Sequence, residues 1–319
     1  MPLFDLQGHR GARGLRPENT LPAFEAALDV GVSSIETDLH LTRDGIPLLF
    51  HDDRLSERLC RLAPGSRSPE PRTRPPVRAL SRAELRGYLA DRNPAPECFP
   101  QQDAAITPAA QLFAEQHGLS AYTPPTLAEL FAFTAAYAGE LGERAGKTAA
   151  QREQARQVCF NLELKRVPFR PDAIGDDCHG AGPGLLEERV VEVVRAAGVV
   201  ERTRIISFDH RCLLAVRELE PRLTTGVLVH HTAPVAPDEL ARRAGAAVYG
   251  PDFEFLDERQ VRQLHAAGVR VVPWTVNDPP AWDRLLDWGV DGIATDFPDR
   301  LALRLRERGI LLAPSGRHP

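Results

Sequence analysis

Seven side chains of the 319-residue chain have types and spacings that could do chemistry together. Glu36 and Asp38 are two residues apart in an apolar run, and Glu163 stands in Asn161-Leu162-Glu163-Leu164-Lys165. On an extended chain, residues two apart share a face, so Glu36 and Asp38 would present a pair of carboxylates. With Glu163 they make an all-oxygen set, which suits Mg²⁺ or Ca²⁺ rather than zinc. His9 and His51 also follow apolar runs. Imidazoles titrate near pH ~6.5, so one can accept a proton while the other donates one. Arg10 and Lys165 add fixed positive charge for an anionic substrate. Only Lys147 and Lys165 are lysines among the 39 basic residues, which marks position 165 as one where arginine has not substituted. The alternative for these carboxylates is purely structural, as salt-bridge partners of Arg10 and Lys165. The remaining histidines, including the His230-His231 pair, have no partner cluster in the sequence and read as surface or loop residues.

The elements that must position these groups are legible as alternating strand-length apolar runs and helical segments. Candidate strands are Leu3–Gly8, Ser34–Leu41, Pro47–His51, Val158–Lys165, Arg204–Phe208, Thr224–Val229, Ala246–Tyr249, Val269–Val276 and Gly292–Thr295. Most are Val/Ile/Leu-rich without strict alternation, as expected for strands buried on both faces. Only the tight turn Thr42-Arg43-Asp44-Gly45 separates the second and third, too few residues for a parallel crossover. Pro47–His51 therefore runs back as a hairpin arm and eight parallel strands remain, the number of a (β/α)₈ TIM barrel. Active sites of that fold sit at the C-terminal strand ends. Those ends carry His9, Arg10, Glu36, Asp38, Glu163, Lys165, Ser207, Asp209, Trp274, Asn277 and Asp296. With the hairpin turn centred between Arg43 and Asp44, Glu36 is expected opposite His51 and Asp38 opposite Leu49, placing residues 36, 38, 49 and 51 on one face.

Helix boundaries follow from capping chemistry. Thr20 is placed to cap a helix over Leu21–Val30 that stops at Gly31, and Ser81…Glu84 and Thr126…Glu129 have capping-box spacing. Ala196-Ala197-Gly198 and Ala266-Ala267-Gly268 are glycine helix stops. The stretch between Asp52 and Gln157 exceeds a barrel connection, and residues 58–78 are Arg/Pro-rich. The expectation is one barrel domain over residues 1–319, with residues 54–125 forming an inserted small subdomain or lid at the active-site end.

Composition narrows the setting. A formal net charge of -5 argues against a nucleic-acid partner. The five cysteines lack metal or disulfide spacing, the N-terminus lacks a signal-peptide pattern, and no apolar run approaches the ~18 residues of a membrane span. A soluble, cytoplasmic protein is expected, with no reading of its oligomeric state.

The segments HRGARGLRPENT, IETDLHLTRDGIPLLFHDD, NLELK, ISFDH, VVPWTVND and GIATDFP are similar, in order and spacing, to the motifs of glycerophosphodiester phosphodiesterases. The resemblance covers residues 8 to 125 and 158 to 300. It implies metal-dependent hydrolysis of glycerophosphodiesters to sn-glycerol 3-phosphate and an alcohol. His9 and His51 would be the acid/base pair; Glu36, Asp38 and Glu163 would hold Mg²⁺ or Ca²⁺. Arg10 and Lys165 would contact phosphate, Trp274 would form an apolar wall, and Glu18 would tie down the first loop or reach the site. The sequence departs from the family pattern after HDD, where residues 54–80 are Arg/Pro-rich and a further insertion lies near 91–120. Rival readings are a lysophospholipase D-like enzyme acting on lipid and a catalytically silent binding barrel.

Overall fold

The computed structural model describes residues 3–180 and 182–312. Its strands are β1 (Asp5–Gly8), β2 (Ser34–Leu41), β3 (Pro47–Leu49), β4 (Arg61–Leu62), β5 (Tyr88–Leu89), β6 (Cys159–Leu164), β7 (Thr203–Ser207), β8 (Thr224–Val229), β9 (Val248–Pro251), β10 (Arg270–Val271) and β11 (Gly292–Thr295). Eight of them run parallel in the order β10-β9-β8-β7-β6-β2-β1-β11. The seam between β10 and β11 is joined by backbone bonds from Asp291 N to Val271 O (2.9 Å), Ala294 N to Pro273 O (3.1 Å) and Val276 N to Ala294 O (3.0 Å). Pro273 has no N–H to give, so the ladder is interrupted there. This near-closed sheet is a TIM barrel, with helices packed outside it over an apolar layer that includes Leu6, Phe24, Ile35, Leu162, Ile205 and Ile293.

The barrel floor departs from the apolar pattern expected of its strands. Asp5 accepts from Ser34 Oγ (2.6 Å), Gln7 Nε2 (2.7 Å) and Arg204 Nη1 (3.1 Å), and Arg204 also reaches Asn161 Oδ1 (3.0 Å). A buried carboxylate is tolerated there because its oxygens are hydrogen-bonded and a guanidinium balances its charge.

The capping expectations match the structure. Thr20 accepts from Ala23 N, and both capping boxes are made in full. Gly31 closes the first helix in the left-handed region (φ 81°), as Gly198 and Gly268 do for two others (φ 68° and 72°).

The hairpin register differs from expectation. β3 pairs Leu49 with Leu39, Leu48 with His40 and Pro47 with Leu41. The loop is three residues, Arg43-Asp44-Gly45, closed by Thr42 N to Ile46 O at 3.1 Å, with Gly45 at φ 73°. A third loop residue in the left-handed region is the usual three-residue hairpin solution. The extra residue shifts the pairing by one and sends Leu49 to the face opposite Asp38, because side chains alternate. His51 lies beyond the end of β3 in a bend, so strand alternation does not constrain it.

Residues 54–125 divide in two. Leu55, Leu59, Cys60, Val77, Leu80, Leu85, Tyr88 and Ala90 close a separate small core on Leu48 and Phe50. β4 and β5 form its two-stranded antiparallel sheet, and Arg82 Nη2 ties it to the barrel's outer helix by donating to both carboxylate oxygens of Glu129 (2.8 Å each). The helix Pro108–His117 instead packs Ala109, Ala110, Phe113 and Ala114 into the main core. Between them, Gln102 donates to Arg13 O (2.7 Å) and Phe99 packs on Phe297 (6.0 Å), bracing the loop after β1. None of residues 54–125 lines the barrel-mouth cavity described next.

Candidate active site

A cavity of about 270 Å³ opens among the strand ends. That is close to the lower end of the roughly 300–1,000 Å³ typical of small-molecule sites. Its lining combines the titratable or charged His9, Arg10, Glu36, His51, Glu163 and Lys165 with the apolar Ile206, Phe208, Leu228, Val272 and Trp274, and Arg204 reaches it from the barrel floor. Trp274 is fixed by its indole N–H donating to Gly250 O (2.9 Å) and by Phe208 packing edge-on at 5.3 Å.

Glu36, Asp38 and Glu163 meet because β2 lies in parallel register between β1 and β6, with Asp38 beside Glu163. One oxygen from each carboxylate lies within 4.8 Å of the others. Glu36 Oε2 accepts from Arg10 N (2.9 Å); Asp38 Oδ2 accepts from Asn19 Nδ2 (2.9 Å) and lies 3.4 Å from Arg10 Nε; Glu163 Oε1 accepts from Lys165 Nζ (2.7 Å). Burial and the charge of Asp38 push Glu36 well above the ordinary carboxylate range, and burial also raises Glu163. Burial opposes ionisation of Asp38 too, but His51, Arg10 and Lys165 outweigh it and hold this carboxyl well below its usual range. The salt bridges of the structural alternative are therefore present, yet they leave Asp38 Oδ1 buried without a hydrogen bond, 3.4 Å from Lys165 Nζ. Three ionised carboxylates beside two cations would leave an excess negative charge in a buried place, which is unfavourable unless compensated. A hard divalent cation fits both that excess and the oxygen-only donor set.

The two histidines are oriented differently. His9 Nδ1 is 2.7 Å from Asp296 Oδ1, and Asn277 Nδ2 donates to Asp296 Oδ2 (2.7 Å). Burial opposes ionisation of Asp296, but His9 and Arg13 hold it below the usual range, so the carboxylate can only accept. The proton on His9 is thereby fixed on Nδ1, and Nε2, 3.9 Å from Glu36 Oε2, is left as an acceptor. Burial depresses the His9 pKa, partly offset by Asp296, so the ring is neutral near pH 7. His51 is more open, 33% exposed, with Nδ1 2.8 Å from Asp52 Oδ1. Its backbone carbonyl accepts from His40 Nε2 (3.1 Å), whose ring is buried and depressed by that burial to about 4.

Arg10 and Asn19 both adopt left-handed backbone (φ 51° and 53°). Such conformations are uncommon outside glycine; here they fold the loop after β1 back over β2. Arg10 Nη1 reaches Glu18 Oε1 (2.8 Å), and Arg13 Nε pairs with Glu18 Oε2 (2.7 Å). Glu18 thus holds two arginines and is not among the cavity-lining residues.

Sequence reading gave no role to four residues that the structure brings to this centre. Asp296 and Asn277 were visible as polar strand-end residues, but their link to His9 spans 287 residues for Asp296 and had no local signal. His40 shares a face with Asp38 along β2 but could not be tied to His51 without the hairpin register. His230, read as a surface residue, lines the cavity and packs on Trp274 at 5.2 Å. Conversely, Ser207 and Asp209 serve structure: Ser207 donates to Leu164 O (2.8 Å) and Asp209 caps the following helix. The second lysine, Lys147, neutralises buried Glu25 (2.6 Å) far from this centre in the chain.

No helix among the described residues is long and apolar enough to cross a membrane. The family model of the glycerophosphoryl diester phosphodiesterase family matches residues 9–300. A Bacillus altitudinis glycerophosphodiester phosphodiesterase is 29% identical over 94% of this chain and 96% of its own length. A Caldanaerobacter subterraneus glycerophosphodiester phosphodiesterase is 26% identical over 94% and 97%. Among solved structures, a Silicibacter pomeroyi protein provisionally named a glycerophosphoryl diester phosphodiesterase superposes with a TM-score of 0.77 at 27% identity, covering 98% of this chain and 96% of that one. An Oleispira antarctica phosphodiesterase, solved with the product sn-glycerol-3-phosphate, shares the fold at a TM-score of 0.63 and 24% identity, covering 95% and 97%. With the strand-end site and a family match running from His9 to Arg300, the chain belongs to the glycerophosphoryl diester phosphodiesterase family.

Proposed function

We propose that the chain hydrolyses glycerophosphodiesters to sn-glycerol 3-phosphate and an alcohol, using His9 and His51 as acid/base groups beside a divalent metal. The observation that carries this reading is the convergence of Glu36, Asp38 and Glu163 within 4.8 Å beside a cavity lined by Glu36, Glu163, both histidines, Arg10 and Lys165. Family membership supplies the reaction class.

Uncatalysed phosphodiester hydrolysis is so slow that a barrier reduction on the order of 15 kcal/mol or more is needed. Glu36, Asp38 and Glu163 would hold Mg²⁺ or Ca²⁺. When bound, that ion would stabilise charge on the non-bridging phosphate oxygens. Arg10 and Lys165 hold the same oxygens, acting as preorganised fixed charges. His9 Nε2 takes the proton from the attacking hydroxyl, supplied by water or by the neighbouring carbon of the glycerol. As the new P–O bond forms, the P–O bond to the alcohol breaks and His51 gives its proton to the departing alkoxide; when the glycerol hydroxyl is the nucleophile the product of this step is a cyclic phosphate, which a water then opens, with His51 taking the water's proton and His9 returning its proton to the ring oxygen that leaves. Asp296 keeps the His9 tautomer and stabilises the imidazolium that forms. Trp274 and Phe208 also line the cavity and would receive the less polar part of the substrate.

The purified protein, given glycerophosphocholine or glycerophosphoethanolamine, should release sn-glycerol 3-phosphate. Release should stop with EDTA and return on adding Mg²⁺ or Ca²⁺ in excess. No release from either substrate, or release indifferent to EDTA, would remove this reading.

A further inference from the structure

β8 ends at Val229, and His230 and His231 follow it onto the barrel rim. Consecutive side chains on an extended strand point to opposite sides. Here His231 is in the left-handed region (φ 49°), and the chain turns so that the two imidazoles lie side by side, tilted 30° to each other with centroids 3.6 Å apart. Both Nε2 atoms then face one oxygen, Asp252 Oδ2, at 3.9 Å from His230 and 3.7 Å from His231. Asp252 is held in place by its own N–H on Val229 O (2.8 Å), and its Oδ1 accepts from Glu254 N (3.2 Å), so Oδ2 is the atom aimed at the rings.

These separations are too long for hydrogen bonds. The imidazole–carboxylate hydrogen bonds elsewhere in the chain are 2.7 Å (His9–Asp296) and 2.8 Å (His51–Asp52 and His265–Asp291). The 3.7 and 3.9 Å separations at Asp252 are instead close to the edge of a tetrahedron around an ion with bonds of about 2.0–2.1 Å, which is roughly 3.4 Å. One ligand atom from each of the three residues lies within 4.8 Å of the others.

We propose that His230, His231 and Asp252 form a second metal site, selective for a borderline-soft divalent transition ion such as Zn²⁺. Two imidazoles and one carboxylate favour such ions over Mg²⁺ or Ca²⁺, the reverse of the preference at Glu36, Asp38 and Glu163. Three protein ligands leave a coordination position open, unlike the closed four-ligand shell of a structural zinc site. Because His230 also lines the active-site cavity, the ion sits on the cavity rim, separate from the carboxylate trio. The inference stands on these residues alone and does not depend on the reaction proposed above.

Co²⁺ is the probe, since its visible d–d absorption reports low-coordinate nitrogen/oxygen ligation. Chelator-stripped protein is titrated with Co²⁺ and then challenged with Zn²⁺. Glu163→Gln should keep the Zn²⁺-displaceable Co²⁺ signal. His231→Asn, which still suits left-handed backbone, and Asp252→Asn should each weaken Co²⁺ binding at that site by tenfold or more. A signal that is absent from the wild type, or equally strong in both variants, overturns the site. Should either variant misfold, zinc anomalous diffraction from wild-type crystals decides: a peak bounded by His230, His231 and Asp252 supports the site, and none there overturns it.

Discussion

Asp296→Asn isolates the orienting role of a residue that is proposed never to touch substrate. The change is nearly isosteric and retains a polar partner for Asn277, so the fold should persist. It acts on His9 in two ways. The amide can present N–H to Nδ1, which would move the imidazole proton to Nε2 and leave no acceptor facing the cavity. It also removes a negative charge 2.7 Å from the ring. Opposite unit charges at that distance interact by roughly 1.5–6 kcal/mol for effective dielectric constants of about 80 down to 20, so even the lower figure is a tenfold change in proton affinity. The sign follows from burial: His9 is already depressed by desolvation and Asp296 works against that depression, so losing the carboxylate depresses it further. In the pH profile of kcat/KM, the acid limb set by a deprotonated base should move to lower pH. The plateau should fall by about 10²-fold or more, in keeping with the loss of one proton-transfer group. Steady-state assays from acid to neutral pH with saturating metal read both quantities. A variant with an unmoved acid limb and a full plateau would refute the assignment of His9 as the base oriented by Asp296.

Lys165→Arg should fold normally, yet lose at least about tenfold in kcat/KM (~1.4 kcal/mol), because a planar fork cannot replace a compact ammonium between Glu163 and Asp38; unchanged kcat/KM would show that the position needs charge alone. His40→Phe should lower kcat through the position of His51, by about tenfold, while leaving metal affinity intact; equal kcat in wild type and variant would make His40 merely a core residue. Thr126→Ala removes a complete capping box at the helix that anchors Arg82 and should cost about 0.5–2 kcal/mol of stability, read as a lowered denaturation midpoint, with no change in kcat.

Barrel architecture was readable because its signals are local: apolar runs separated by caps and glycine stops, and a turn too short for a crossover. The carboxylate trio was also readable, since two members share a strand and barrel geometry puts the third nearby. What failed was register and distance. One additional loop residue at Gly45 shifted β3 against β2, so the expected shared face of Asp38 and Leu49 does not exist. His51 reaches the cavity only because it lies past the strand end. The Asp296–His9 bond joins opposite ends of the chain where the barrel closes, and no periodicity records such a closure. His230 read as a surface or loop residue because its neighbours, Trp274 and Asp252, come from different strand ends. That the stretch between Asp52 and Gln157 exceeds a barrel connection was legible, but the division of residues 54–125 into a small core and a helix serving the barrel core depends on tertiary contacts.

Steady-state kinetics of His9→Ala and His51→Ala, with metal saturating and glycerophosphodiester as substrate, most directly test whether two histidines share the proton transfers at this site. Each variant should lose roughly 10²–10⁴ in kcat, with KM changed far less because Arg10, Lys165 and the carboxylate trio remain. Near wild-type turnover in either variant would contradict the two-histidine mechanism.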